Sequence, residues 1–136
     1  MDILQVSIRG FPAFIVYFAA SLALLALFIA IYIRLTPYRE LELIRQGNCA
    51  AAASLTGAML GFVIPLGHSV AQSANLLDMA LWGLIALVVQ LLVYFAATRL
   101  MPALAADIPA GKTAPGIFLG SLSLATGILN AACMTY

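Results

Sequence analysis

Four long apolar runs separated by three short polar stretches make up nearly all of the chain. The first extends from about Phe11 to Ile33 and is interrupted only by Ser21. The second covers about Asn48 to Leu66, the third about Asp78 to Thr98 with Gln90 near its middle, and the fourth about Ala114 to Tyr136. Crossing the hydrocarbon core of a bilayer takes about 20 apolar residues in a helix, and each run is near that length. The pattern predicts an all-α integral membrane protein with four transmembrane helices in a single membrane domain over residues 1–136. Pro12 falls in the first turn of the first run, where proline is tolerated, and Pro65 with Gly67 marks the expected end of the second. The first run exceeds the ~7–15 residues of a cleaved signal's apolar region, so it reads as a retained helix.

The connections carry the polar residues. Thr36-Pro37 reads as a helix cap followed by proline at the first helical position, opening a short amphipathic piece at the membrane interface. Tyr38, Leu41 and Ile44 would share its apolar side, with Arg39, Glu40 and Glu42 turned elsewhere and Arg45 paired to Glu42. Gly47-Asn48 reads as a corner: glycine for a left-handed helix end, asparagine to cap the next helix. Gly67–Asp78 is polar and almost uncharged, with Asp78 placed to start the third helix. Leu100–Thr113 carries two prolines and a glycine. Arg34, Arg39 and Arg45 lie in the first connection, Arg99 and Lys112 in the third, against Arg9 alone near the start. The positive-inside rule puts both basic connections in the cytoplasm and both termini outside, periplasmic in a Gram-negative cell. Arg39 and Arg45 are then cytoplasmic interface residues, able to meet anionic headgroups.

Side-chain size alternates between runs. The first is bulky, the third mostly so. The second places Ala50, Ser54, Gly57 and Gly61 on one helical face, and the fourth places Gly116, Gly120, Ser123, Gly127 and Asn130 on another. Both contain a GxxxG pair, "GAMLG" and "GIFLG". Lipid supplies no hydrophobic force between helices, so small residues that admit close backbone approach are the expected packing faces. The alternation predicts two tandem helical hairpins in parallel repeat, about 1–67 and about 68–136.

Composition narrows the functions. The chain is 65% hydrophobic and 8% charged, against roughly a quarter charged in a soluble domain, so it lacks the polar surface a water-soluble globule needs. Its net charge of +1 offers no basic stripe for nucleic acid. Asn48, His68, Gln90 and Asn130 are the candidates for a polar path or, more plainly, for interhelical hydrogen bonds. His68, Ser69 and Asp78 are catalytic residue types, but the adjacency of His68 and Ser69 does not by itself supply a triad, so a wet outer loop is the favoured reading, and a lone histidine makes no metal site. Cys49 and Cys133 fall at opposite ends of the bilayer, beyond disulfide reach; Cys133 reads as a buried inert thiol, with pairing between protomers as the alternative. Trp82 reads as an interfacial belt residue. The sequence therefore predicts no catalytic residue, metal or cofactor.

The stretch "ELELIRQGNCAAAASLTGAMLGFVIPL", with "GILNAACM" near the end, resembles the YjfL-like bacterial inner-membrane proteins, the domain-of-unknown-function 350 family. The resemblance implies the cytoplasmic membrane, two tandem hairpin units, and signature positions at Arg45, Gly47, Asn48, Ala50, Ala51, Ala52, Gly57 and Gly61. Lys112 stands where Asn48 stands in the first unit. The implied context is envelope stress or polyamine-related genes, with no activity attached. The leading expectation is a non-enzymatic packing or scaffold module in the lipid bilayer, a homo-oligomer through spans two and four, with an envelope protein as partner. The alternative is a subunit of an oligomeric channel or transporter for small solutes or ions. Coupled carriers keep an acid or base inside the membrane, and no such residue falls within a run, which favours the first.

Overall fold

The computed structural model describes residues 2–134. Its helices are α1 (Ile3–Leu35), α2 (Glu40–Arg45), α3 (Cys49–Gln72), α4 (Leu76–Leu100), α5 (Leu104–Asp107) and α6 (Thr113–Cys133). No strand occurs among the described residues. α1, α3, α4 and α6 are each long and apolar enough to cross a membrane. The order long, short, long occurs twice, and a glycine with positive φ precedes the last helix each time, Gly47 at 88° and Gly111 at 81°.

Two proline expectations are corrected. Pro12 lies inside α1, which starts at Ile3, and Pro65 lies inside α3, which continues through Gly67 to Gln72. Apolar helices tolerate proline because surrounding groups can satisfy the freed carbonyl. The polar connection read between Gly67 and Asp78 is therefore mostly helix. The fourth span's expected end at Tyr136 lies outside the described residues.

α3 is the central helix. Phe62 stacks on Phe28 of α1 with ring centroids 4.7 Å apart, and Leu66 packs beside Gly83 of α4. On the other side α3 runs parallel to α6, Ala50 lying beside Gly116, Gly57 beside Gly120 and Gly61 beside Gly127. The connections are capped as the residues dictate. The Asn48 side chain accepts from the Ala51 N–H at 3.0 Å. Asn75 accepts from the Asp78 N–H at 2.8 Å, and Asp78 reaches back to the Ala74 N–H at 3.1 Å, a reciprocal pair that closes the start of α4. Near the start of α1, Phe11, Phe14 and Phe18 stack on one another and stay exposed, while Tyr17 is the first residue of α1 to pack partly against the core.

Candidate functional site

The small-residue faces meet each other. A Cβ added at Gly57 would fall on the backbone of Gly120, one at Gly61 on the Ser123 carbonyl, and one at Gly116 on Ala50. At Gly120 it would strike the Ala53 carbonyl, and at Gly127 the backbone of Gly61. Ser54 and Ser123 are buried in the same region, the Ser54 hydroxyl donating to the Ala51 carbonyl at 3.0 Å. The faces expected to join copies of the chain are thus consumed in joining α3 to α6 within one chain.

The polar candidates are distributed along the bundle. Asn48 is a clamp: besides capping α3, its amide donates to the Ile108 carbonyl at 2.8 Å, so it ties the α2–α3 corner to the segment after α5. That leaves it no free end for a path. Gln90, buried in α4, donates to the Ser123 carbonyl of α6 at 3.0 Å, while its own carbonyl oxygen is buried without a partner. At the far end the His68 ring nitrogen is 2.7 Å from the Met134 carbonyl. The Ser69 hydroxyl donates to the Met79 carbonyl at 3.0 Å, so His68 and Ser69 serve different partners. Asn130 on α6 has a buried amide nitrogen with no partner among the described residues. Both cysteines are exposed and free, which corrects the reading of Cys133 as a buried thiol. Arg39 and Arg45 are exposed, and Arg39 is the residue that pairs with Glu42, at 3.5 Å, in place of Arg45.

Sequence reasoning missed the most consequential side chain. Thr36 ends α1, and α2 begins only at Glu40, so the expected cap at Thr36 is not formed. A six-residue helix starting there turns Glu40, Leu43 and Ile44 to one side, at spacings of three and four. That side faces the bundle. Glu40 has no solvent exposure, whereas Leu41, expected on the apolar side, is 55% exposed.

The Glu40 carboxyl enters a chamber at the connector end. Tyr32 of α1, Tyr38 of the preceding connector and Tyr94 of α4 all lie close enough to couple to its charge. Tyr32 and Tyr94 meet edge to face with ring centroids 5.5 Å apart, and Ser54 of α3 lies beside Tyr38. Among the described residues neither carboxyl oxygen has a partner in full hydrogen-bond geometry, nor do the Tyr32 and Tyr38 hydroxyls. Tyr38 and Glu40 thus interact electrostatically without a well-formed hydrogen bond. Burial pushes the Glu40 carboxyl up to about 8, the nearby Tyr38 hydroxyl only partly offsetting it. Burial, and then the Glu40 charge, lifts the Tyr38 phenol well above its usual range. A groove of about 460 Å³ lined by Thr36, Tyr38, Arg39, Glu40, Glu42 and Arg45 opens against this chamber. On α4, Gln90 lies one turn from Tyr94, so buried polar groups continue from the chamber to the Gln90–Ser123 contact.

Residues 6–134 match the family described as Domain of Unknown Function (DUF350). The UPF0719 inner membrane protein YjfL of Escherichia coli (strain K12) is 44% identical over 124 residues, 91% of this chain and 94% of that relative. The UPF0719 transmembrane protein YshE of Bacillus subtilis (strain 168) is 34% identical over 86 residues, 63% of this chain and 64% of that one. No solved structure matches.

Proposed function

The chain belongs to the DUF350 family of multi-pass membrane proteins, and we propose that it is a non-enzymatic inner-membrane subunit that carries or conducts a small solute or ion. One observation carries this reading: a carboxyl fully buried among the helices of a membrane protein, with no counterion among the described residues. An ionisable group in that setting is expensive, and such groups mark ion and substrate routes. That no acid lies within a span is an objection to coupled transport, though not to a passive pore. Glu40 removes it, because α2 folds the acid into the bundle from outside the spans. The distribution of arginine supports a cytoplasmic connector end, which makes the Glu40 chamber the inner mouth and Gln90 the next polar level.

Purified protein in liposomes, tested with a panel of inorganic ions and small charged and neutral solutes, checks this. Selective flux is expected, reduced in both Glu40→Gln and Gln90→Leu. Folded, uniformly oriented protein with no flux for any member of the panel would overturn it.

A packing or scaffold role in envelope maintenance draws on a different feature, the exposed aromatic flank of α1. If copies of the chain or an envelope partner dock there, Phe14→Ala should dissociate the assembly on a mild-detergent gel. Gly67→Ala, on the exposed side of α3, should leave it intact.

A further inference from the structure

We infer, building on the transport reading, that Glu40 is a proton-binding site reached from the connector-end groove, and that the bound proton keeps α2 docked in the bundle. The chamber is built to accept a neutral carboxyl and to reject a charged one. Tyr32 faces it from α1, Tyr38 from the connector, Tyr94 from α4 and Ser54 from α3. None is a cation, and the Ser54 hydroxyl already donates to its own helix. On α2 itself Glu42 is exposed and paired with the exposed Arg39, and Arg45 is exposed too. A carboxylate here would have no counterion among the described residues, and the Tyr38 hydroxyl beside it offsets only part of the cost of burial.

Three features let the charge act. The groove, which Glu40 itself lines, opens on the connector side and gives the proton a short route to and from bulk water. α2 is short, and besides Glu40 it contributes only Leu43 and Ile44 to the core. Gly47, at a φ that side chains rarely adopt, joins it to α3. Loss of the proton makes docking unfavourable, and the nearest relief is for α2 to swing Glu40 into the groove, uncovering Ser54 and Tyr94. Burial raises the carboxyl to about 8, so the proton is lost as pH rises through that value. The inner mouth of the proposed path would therefore open when the carboxyl ionises.

Two measurements on the full chain in liposomes test this. Infrared titration should show a protonated-carboxyl band that disappears as pH rises through about 8, and that band should be absent from Glu40→Gln. Separately, Ser54→Cys in a chain whose native Cys49 and Cys133 are replaced by Ala should be labelled by a water-soluble thiol reagent. Its rate, divided by that of a chain keeping only the exposed Cys49, should rise by about tenfold across the same transition. Adding Glu40→Gln should hold the ratio low at every pH. Leu43→Cys, on the inner side of α2, gives the same readout if Ser54→Cys does not fold. A band unchanged by Glu40→Gln overturns the proton site, and a labelling ratio flat with pH overturns the movement. Both outcomes are independent of flux: a titrating carboxyl and moving α2 without transport would defeat the transport reading alone.

Discussion

Gly57→Ala and Gly67→Ala place the same methyl group in the same helix and should have opposite effects. Both glycines lie inside α3, and replacing glycine by alanine in a helix interior contributes up to about 1 kcal/mol of propensity in each case. Around Gly67 a Cβ meets nothing within 4 Å. At Gly57 it lands on the carbonyl oxygen, Cα and carbonyl carbon of Gly120, all backbone, so no side chain can rotate away. Restoring ordinary contact at ~3.5–4.0 Å requires α6 to back off by about 1–2 Å. The same displacement opens the contacts at Gly61, Gly116 and Gly127, since all lie along one parallel seam. Overpacking costs about 1–3 kcal/mol, and a gap of about 1 Å already forfeits a quarter to a half of the dispersion well at each separated pair. Gly57→Ala should therefore be about 2 kcal/mol or more less stable than Gly67→Ala. Reversible unfolding in mixed micelles, followed by helical circular dichroism, reads the difference directly. Equal midpoints for the two variants would refute the close α3–α6 contact.

Further outcomes are expected at other sites. Asn48→Ala removes the cap of α3 and the tie to Ile108, and should cost about 1–2 kcal/mol. Asn48→Asp keeps the acceptor and loses only the tie, so amide exchange should quicken around Ile108 with a smaller loss of stability. Gln90→Leu deletes one interhelical hydrogen bond and one unpartnered acceptor, so unfolding stability should stay within about 1 kcal/mol while flux falls. For Glu40, the folded carboxyl is raised from 4.5 to about 8, so the folded state binds the proton more tightly than the unfolded state. Stability should then be greatest below the unfolded value, decline as pH rises toward 8, and level off above it; Glu40→Gln should abolish that decline. Tags at either terminus should be cleaved by protease added outside spheroplasts, and protection of both would reverse the orientation.

Much of the architecture was legible because it follows from local rules. Apolar length identified the four spans, and side-chain size identified the faces of Gly57, Gly61, Gly116, Gly120 and Gly127, since only small residues allow such an approach. What those faces would meet was not legible: a small-residue stripe reads the same whether its partner is another copy or a later helix of the same chain. The helix ends differ from the sequence pattern at Pro12 and Pro65, because proline stops a helix in water more readily than in lipid. Glu40 was missed for a sharper reason. In so short a helix, starting three residues later than the sequence suggested moves every side chain to a different side, and charge normally argues for exposure. The one available signal was the spacing of Glu40 with Leu43 and Ile44, which only the helix start at Glu40 makes meaningful.

The length of α1 ties the protein to the thickness of its membrane. Its 33 residues extend about 50 Å, well beyond the ~30 Å of the hydrocarbon core. Fitting that length by inclination alone would demand more than the 0–40° range transmembrane helices show. Where its neighbours stop, α1 continues with Phe11, Phe14 and Phe18 still uncovered. A thicker bilayer would take in more of this overhang and stand α1 upright, and a thinner one would lay it over. Because Tyr32 near its other end forms a wall of the Glu40 chamber, changes in bilayer thickness would be transmitted mechanically to that wall.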